Sequence, residues 1–282
     1  MTLQSSSRPY AEVIGDPIIH SKSPRIHGFW LEQAGMAGEY RACHVLPGDL
    51  AGYFATRRAD PAWRGCNVTI PHKEAVAPFL DHVDDRARTV GAINTVWRDD
   101  DGLLCGTNTD VDGVAEALAV RSLAGAQVCL IGAGGAARAA LALLSSSACA
   151  RVRVLARDVD KAARVAAECG VLPLLVPFTD PVPALAGADV VINATQLGMT
   201  GQQLMPESVL SGLGAVSSGA LVFDMVYAPL ETGLLARARR LGLSTSDGLT
   251  MLVGQAATAF SRFFGQAPRR INDQKLRNIL TS

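Results

Sequence analysis

The fold class of this chain is decided by the stretch Gln127-Val128-Cys129-Leu130-Ile131-Gly132-Ala133-Gly134-Gly135-Ala136-Ala137. Its first five residues, Gln127 and the apolar run Val128–Ile131, are typical of a fully buried strand, and a helical pattern rich in alanine and leucine follows. Gly132, Gly134 and Ala137 have the spacing of the dinucleotide-binding fingerprint, with alanine in the third place. Glycines there let the backbone approach a pyrophosphate, which then faces the helix N-terminus. We therefore expect cofactor binding at Gly132, Ala133, Gly134, Gly135 and Ala136, with a structural glycine turn as the alternative.

The segments around this loop continue an alternation of strands and helices. A helix is expected over residues 110–120, and further strands over 152–156, 190–193 and 221–225. Such a series makes a doubly wound parallel sheet of the Rossmann type. The glycine- and serine-rich residues 201–219 are expected to form a loop or a weak helix. A helix over about 251–264 and a polar helix follow.

The end of the second strand of that sheet bears on which dinucleotide is bound. An NAD site usually carries an acidic residue there, which holds the ribose 2′-hydroxyl. This chain has Ala156, then Arg157, Asp158 and, three residues on, Lys161. Two cations suit a 2′-phosphate. Asp158 argues for NAD if it faces the ribose, but its competing role is to cap the next helix. The pattern favours NADP, with NAD as the alternative.

The first third of the chain also alternates strands and helices. Strands are expected over residues 10–14, 39–46 and 65–70, and a helix from Pro24 to about Gly35. Two helical stretches separated near Pro78 should follow, and then a hairpin of residues 92–98 and 103–107. This pattern predicts a largely parallel α/β layer.

A polar stripe runs along the third of these strands. In an extended strand Asn67 and Thr69 point to one face, and Val68 and Ile70 to the other. Pro71 removes a backbone donor and ends the strand, so Lys73 lies just beyond the sheet. A hydroxyl, an amide and an ammonium so arranged indicate a site for a small polyol. A surface edge strand with an incidental lysine is the alternative.

Composition excludes several classes of protein. The 282 residues carry 26 basic and 26 acidic side chains, and this balance gives no electrostatic footprint for nucleic acid or an anionic membrane. No apolar run reaches the ~20 residues of a membrane span. The six cysteines form no C-x-x-C pair, and the five histidines have no metal-ligand spacing, so we expect no metal. Met1–Arg8 lacks the apolar stretch of a signal peptide, and we expect a cytoplasmic protein.

Ordered motifs along nearly the whole chain closely resemble the shikimate dehydrogenase family, whose members reduce 3-dehydroshikimate to shikimate. The motifs that carry this resemblance are Gly15-Asp16-Pro17 with His20-Ser21-Lys22-Ser23-Pro24 and His27, the segment Gly65–Lys73, Gly91-Ala92-Ile93-Asn94-Thr95, Gly106-Thr107-Asn108-Thr109-Asp110 with Gly113, Asn193-Ala194-Thr195 with Gly198-Met199, Asp224-Met225-Val226-Tyr227-Ala228-Pro229, and Asp247-Gly248 with Met251-Leu252-Val253-Gly254-Gln255.

The resemblance implies a substrate domain, a Rossmann domain and a cleft between them. The substrate domain would comprise residues 1–109 and the C-terminal helices 248–282, and the dinucleotide domain residues 110–247. Lys73 and Asp110 would be the catalytic pair, since a lysine held by a carboxylate can meet the charge that develops on a ketone oxygen. Asp110 could also be a helix N-cap. The partner would be a small molecule, and the protein a monomer or a homodimer.

The family positions also imply substrate and cofactor contacts. Substrate-binding residues would be Ser21, Ser23 and Tyr227 at the carboxylate, and Asn67, Thr69, Asn94 and Gln255 at the ring hydroxyls. Met225 and Gly248 would lie near the nicotinamide, and Arg157 and Lys161 near the ribose. The two serines could instead form an ST-turn, and Tyr227 could be a core aromatic.

The chain departs from the family pattern at Gly28, at Thr250, and at Ala156 and Asp158 beside Arg157. The last two stand where the family pattern bears on the choice between NADP and NAD. A quinate/shikimate dehydrogenase using NAD is the runner-up, although Ser23 stands where members that favour quinate tend to have threonine. A non-catalytic sensor is disfavoured because Lys73 and Asp110 are both present.

Overall fold

The structure is a computed structural model that describes residues 8–282. The polar segment on which the expected lack of a signal peptide rests lies outside the described residues, except for Arg8. The chain divides into two compact units. Unit 1 comprises the residues up to Thr109 together with Ala256–Ser282, and unit 2 comprises Asp110–Gln255.

Unit 1 begins with six strands and three helices. In chain order these are β1 (Tyr10–Gly15), α1 (Ser23–Ala34), β2 (Glu39–His44), α2 (Leu50–Ala59), β3 (Trp63–Val68), β4 (His82–Val83), α3 (Asp85–Val90), β5 (Thr95–Arg98) and β6 (Leu104–Thr107). Pro24 lies in the first turn of α1, and Gly35 ends this helix in the left-handed conformation at φ 63°. Asp84 caps α3, since its side chain accepts a hydrogen bond from the Ala87 N–H.

The sheet of unit 1 has the strand order β2-β1-β3-β5-β6-β4. The β1–β2, β1–β3 and β4–β6 pairs are parallel, whereas β5 pairs antiparallel with both β3 and β6. The largely parallel layer and the hairpin are therefore confirmed. Of the two helices expected after Lys73, the second is α3, and the first was wrong, because residues 73–76 form turns and a bend and residues 77–79 a 3₁₀ turn. Strand β3 also ends at Val68, two residues before the expected end at Ile70, and Ile70 is 68% exposed.

Unit 2 continues the alternation through six more strands and most of its helices. In chain order these are α4 (Asp110–Leu118), β7 (Gln127–Ile131), α5 (Gly135–Ser145), β8 (Arg151–Ala156), α6 (Val159–Glu168), β9 (Leu174–Pro177), α7 (Val182–Leu185), β10 (Val190–Asn193), α8 (Glu207–Gly212), β11 (Leu221–Asp224), α9 (Gly233–Arg240), β12 (Ser244–Asp247) and α10 (Gly248–Phe264).

The sheet of unit 2 has the order β12-β11-β10-β7-β8-β9, and all of its pairs are parallel. The order reverses between β7 and β10, which is the switch point where such sheets bind ligands. The predicted doubly wound sheet is thus confirmed. Strands β9 and β12 and helices α7 and α9 were not predicted, and the segment expected to be a loop or weak helix contains α8.

The chain returns to unit 1 within helix α10, since the boundary falls between Gln255 and Ala256. The final helix is α11 (Asp273–Thr281). Within residues 8–282, no helix combines the length and apolar character needed to cross a membrane.

Candidate active site

Two loops meet at the carboxyl edge of the unit 1 sheet, where β1 and β3 end side by side. The Thr69 N–H donates to the Ile14 carbonyl at 2.9 Å, and the Asp16 N–H donates to the Ile70 carbonyl at 3.1 Å. A Cβ added at Gly15 would lie 2.5 Å from Thr69 Cγ2, so only glycine admits this approach. The segment before α1 and the segment before Lys73 are therefore fixed against each other.

The turn that carries Lys73 is held by its backbone on both sides. The buried ring of His72 hydrogen-bonds the Val45 carbonyl at 2.7 Å. The Ile93 N–H donates to the Lys73 carbonyl at 2.7 Å, and this bond ties the turn to the segment before β5. The Lys73 side chain is half-buried. The lysine therefore projects from a turn whose path is set by contacts with two neighbouring segments.

The two serines lie where α1 begins. The Ser23 N–H donates to Ser21 Oγ at 3.3 Å, which is the ST-turn considered from the sequence. This turn uses the Ser21 oxygen as an acceptor and leaves its O–H as a donor, so it is compatible with a role in binding a carboxylate. The ammonium of the intervening Lys22 hydrogen-bonds the Leu280 carbonyl and thereby ties the loop to α11.

A buried polar network joins β3 to the segment around β5. Asn67 Nδ2 donates to Thr95 Oγ1 at 3.0 Å and to the Asn94 carbonyl at 3.2 Å. Asn94 Oδ1 in turn accepts from the Thr95 hydroxyl at 3.0 Å and the Thr109 N–H at 2.7 Å. The Tyr40 hydroxyl donates to Asn67 Oδ1 at 2.6 Å. Asn67 and Asn94, predicted to bind ring hydroxyls, thus share one network. Its other members, Tyr40, Thr95 and Thr109, were given no role from the sequence.

In unit 2, the helix that begins with Asp110 packs closely on the start of α10. A Cβ at Gly113 would lie 2.4 Å from the Met251 carbonyl oxygen, and one at Gly254 would lie 2.9 Å from Glu116 Oε2. Gln255, at the end of this contact, is buried, and its Nε2 donates to the Leu252 carbonyl at 2.9 Å. Both Asp110 and Gln255 therefore lie on helices fixed by close packing.

The glycine-rich loop lies at the switch point of the unit 2 sheet. Gly132 has φ +103°, and a Cβ there would lie 2.6 Å from Thr195 Cγ2 in the loop after β10. By contrast, a Cβ at Gly134 or Gly135 would meet no atom within 4 Å. Packing explains the first glycine but not the other two. Open space beside the N-terminus of α5 is what a bound phosphate requires.

Three charged residues follow β8 at the same edge of the sheet. Asp158 is the N-cap of α6, and its Oδ1 accepts from the Lys161 N–H at 2.8 Å. The capping role weighed from the sequence is therefore the one observed, and the carboxylate is directed at the helix's own amides. Arg157 and Lys161 have exposed side chains, and neither forms an ion pair within residues 8–282. The local charge available to a ligand is thus positive.

A buried carboxylate organises the loops after β10 and β11. Asp224 is fully buried and accepts from Asn193 Nδ2 at 2.8 Å, the Val226 N–H at 3.0 Å and the Thr232 hydroxyl at 2.6 Å. Burial raises the pKa of Asp224, and these three hydrogen bonds oppose the rise. The network fixes the loop that carries Met225 and Tyr227.

The loop after β11 carries an exposed tyrosine and contacts the start of α10. Tyr227 is 39% exposed, so the alternative of a core aromatic was wrong. A Cβ at Gly248 would lie 2.1 Å from the Met225 carbonyl oxygen, and the structure thus brings together the two residues predicted near a nicotinamide.

The cysteines of the chain are unpaired thiols. Cys66, beside the polar stripe, is fully buried, and burial raises the pKa of its thiol, which disfavours a nucleophilic thiolate. No cluster of three or more potential ligand side chains for a metal ion is found in the described part of the chain.

The structure therefore groups the predicted residues within each unit. Unit 1 holds Ser21, Ser23, Asn67, Thr69, Lys73 and Asn94. Unit 2 holds Asp110, Tyr227, Gln255 and the predicted cofactor residues. The residues to which sequence reasoning gave no role are those that hold the others, namely Tyr40, Thr95, Thr109 and Asp224. Thr95, Thr109 and Asp224 lie within the quoted motifs, whereas no sequence signal marked Tyr40.

Comparisons with known proteins identify one family for both units. A family model described as "Shikimate dehydrogenase substrate binding domain" matches residues 13–96. A second, described as "Shikimate / quinate 5-dehydrogenase", matches residues 114–224. The curated shikimate dehydrogenase (NADP(+)) of Sphingopyxis alaskensis is 48% identical over 274 residues, which cover 97% of each chain.

Solved structures of the same architecture include two that are informative. Shikimate 5-dehydrogenase from Thermus thermophilus, in complex with NADP(H) and shikimate, superposes with a TM-score of 0.83 at 32% identity, covering 96% of this chain and 99% of that one. Ligand-free 5-ketofructose reductase of Gluconobacter sp. strain CHM43 superposes with a TM-score of 0.87 at 30% identity, covering 97% and 99%. The fold alone therefore leaves the substrate open.

Proposed function

The chain belongs to the shikimate dehydrogenase family, and we propose that it catalyses the reversible, NADP-dependent reduction of 3-dehydroshikimate to shikimate. The observation that supports NADP as the cofactor is the charge pattern after β8. Arg157 and Lys161 are exposed, while Asp158 is engaged in capping α6. The reaction would serve the biosynthesis of chorismate and the aromatic amino acids.

The residues of unit 2 fit a dinucleotide with a 2′-phosphate. The backbone from Gly132 to Ala136 would hold the pyrophosphate, because Gly134 and Gly135 leave open space at the N-terminus of α5. Arg157 and Lys161 would bind the 2′-phosphate. Met225 and Gly248 would lie against the nicotinamide, which supplies or accepts the hydride.

The residues of unit 1 fit a small hydroxylated carboxylic acid. Ser21 and Ser23 would donate to the carboxylate, and Thr69, whose hydroxyl has no partner within residues 8–282, would bind a ring hydroxyl. Asn67 would bind a ring hydroxyl through the second lone pair of Oδ1, and Asn94 is assigned to the ring hydroxyls by the family resemblance. The assignment of Tyr227 and Gln255 to the substrate rests on the family resemblance. The proposed limits of the substrate and dinucleotide domains rest on it as well.

Catalysis would depend on Lys73. Hydride addition to a ketone builds negative charge on its oxygen, and an ammonium there stabilises the charge and can supply the proton. A lysine that moves freely would lose much of this benefit, whereas the Lys73 backbone is held by the Ile93 N–H. The role proposed for Asp110, which is to keep that lysine charged and oriented, rests on the family resemblance.

Initial rates test the proposal directly. Oxidation of shikimate and of quinate is measured with NADP⁺ and with NAD⁺, and reduction of 5-ketofructose with NADPH. We expect the highest kcat/KM for shikimate with NADP⁺. A kcat/KM for quinate or 5-ketofructose that equals or exceeds that for shikimate would reject the substrate assignment, and a preference for NAD⁺ would reject the cofactor assignment.

A further inference from the structure

Tyr40 and Asn67 meet across the central strand of the unit 1 sheet. In the parallel register, Tyr40 on β2 pairs with Ala11 of β1, and Asn67 on β3 pairs with Val13. Ala11 and Val13 are two residues apart, so the side chains of Tyr40 and Asn67 lie on the same face of the sheet. The small Ala11 side chain lets the tyrosine reach over β1, and its hydroxyl comes to 2.6 Å from Asn67 Oδ1.

The contacts of Asn67 fix the orientation of its amide. The Asn94 backbone carbonyl can only accept, so the amide atom 3.2 Å from it must be the nitrogen. The second hydrogen of that nitrogen is directed to Thr95 Oγ1. The oxygen therefore faces Tyr40, and the tyrosine hydroxyl must be the donor. What remains to Asn67 is the second lone pair of Oδ1.

The ring of Tyr40 is itself held in place. The fully buried ring of His27 stacks on it, with centroids 3.9 Å apart and planes at 3°, and Phe263 lies on the same aromatic cluster. Tyr40 is also buried. Packing of the ring therefore orders the hydroxyl before any ligand binds.

We propose that Tyr40 is a positioning residue for the substrate, which acts by presenting Asn67 Oδ1 as a hydrogen-bond acceptor for a ring hydroxyl. This inference rests on the proposed function, since it assumes that Asn67 binds substrate. Tyr40 does not touch the reacting atoms, so its hydroxyl affects binding of the polyol and not the chemical step. Without it, the Asn67 amide oxygen loses its only hydrogen bond within residues 8–282, and the amide is held through Nδ2 alone.

The test is a double-mutant cycle of Tyr40→Phe and Asn67→Ala, read as kcat and as KM for shikimate and NADP⁺. Tyr40→Phe keeps the ring that stacks on His27 and removes one hydroxyl. We expect KM for shikimate to rise about tenfold, with kcat and KM for NADP⁺ changed less than about twofold. If Tyr40 acts through Asn67, the double variant should bind shikimate no worse than Asn67→Ala alone.

Tyr53→Phe is the matched control, because Tyr53 is also buried and its hydroxyl donates to a carboxylate, Glu12 Oε2, at 2.9 Å. It should lower the melting temperature without changing KM for shikimate. If Tyr40→Phe does not fold, Thr95→Val removes the other side-chain anchor of the same amide and is judged by the same criteria.

Three results would overturn the inference. The first is an unchanged KM for shikimate in Tyr40→Phe. The second is a KM for shikimate in the double variant that rises by the product of the two single increases, and the third is a rise in Tyr53→Phe as large as that in Tyr40→Phe. Wild-type protein that does not oxidise shikimate would instead reject the proposed function, and this inference with it. The two failures are thus distinguished by the wild-type rate.

Discussion

Asp158 Oδ1 accepts a hydrogen bond of 2.8 Å from the backbone N–H of Lys161. A carboxylate at this point of a dinucleotide-binding sheet would normally suggest a contact with the ribose of NAD. Here it instead satisfies one of the amides left unpaired at the start of α6. Asp158 therefore stabilises helix α6, and the neighbouring cations Arg157 and Lys161 are the charged groups left to bind a dinucleotide.

Substitutions of Asp158 separate capping from ligand binding. Asp158→Ala should lower the free energy of unfolding by about 1 kcal/mol, because a cap is lost, whereas Asp158→Asn should keep most of it. Denaturant titration measures both. If the carboxylate were a ribose ligand, Asp158→Asn would instead raise KM for NAD⁺ selectively.

Removal of the guanidinium at position 157 tests the choice of cofactor. Arg157→Ala should raise KM for NADP⁺ by about tenfold or more and change KM for NAD⁺ little, since only NADP⁺ carries the 2′-phosphate. Arg240→Ala, which removes an exposed arginine from α9, is the control and should change neither. An equal rise for both cofactors would mean that Arg157 packs against the adenine or supports the fold.

Two glycines of the same loop should respond differently to alanine. Gly134→Ala should leave the free energy of unfolding within about 0.5 kcal/mol of wild type, because its Cβ meets open space. Its KM for NADP⁺ should rise about tenfold, since the methyl group occupies the approach of the pyrophosphate.

Gly132→Ala provides the contrast. It places a Cβ at φ +103° and 2.6 Å from Thr195 Cγ2, and it should cost about 1–3 kcal/mol of stability. A Gly134→Ala protein with wild-type KM for NADP⁺ would show that the open space is not a binding site.

Lys73→Ala should remove most turnover. A single ammonium that meets developing negative charge commonly contributes ~10²-fold or more in rate, so kcat should fall by at least that factor. Binding of shikimate, measured by calorimetry, should weaken but remain detectable. Lys275→Ala on α11 is the control for loss of an exposed lysine. A Lys73→Ala enzyme that keeps nearly full kcat contradicts the assignment.

The pH dependence of stability should contain a contribution from His27. Burial lowers the pKa of His27 to about 3, and neither ring nitrogen has a hydrogen-bond partner among the described residues. The unfolded chain binds a proton below about pH 6.5 that the folded protein does not bind until about pH 3. Stability should therefore fall with decreasing pH in this window, by about 1.4 kcal/mol per pH unit.

His27→Phe is the variant that reveals this contribution. It removes the titrating group and the unpaired nitrogens, so its stability should be equal to or above that of wild type at pH 7, and the difference should grow as the pH falls to 4. Urea titrations at pH 7, 5.5 and 4 measure it. Parallel pH profiles would show that His27 does not contribute.

The elements predicted best were those whose signal is local. Strand β7 was predicted to the residue because an apolar run ends at glycines there. Strand β12, with the sequence Ser244–Asp247, has no apolar pattern and exists because it pairs with β11. The helix expected after Lys73 fails for a similar reason, since contacts from Val45 and Ile93 fix turns that the local sequence does not require.

The site shows the same limit. Lys73, Asn67 and the glycine loop carry chemical groups at recognisable spacing, and sequence alone singled them out. Tyr40 lies 27 residues from Asn67 in the sequence. The hydrogen bond between them depends on the register of β2 and β3 on either side of β1. Asp224 likewise joins loops from separate strands. Residues that position other side chains act through tertiary contacts, and no periodic pattern in the sequence marks such contacts.

The hydrogen bond from the Ile93 N–H to the Lys73 carbonyl makes one backbone amide a reporter of the lysine turn. This proton exchanges with solvent only when the turn separates from the segment before β5. Its exchange rate, followed by NMR in heavy water, therefore measures how often the turn opens. The order of the proposed catalytic lysine can be read in this way without labelling or substituting the lysine itself.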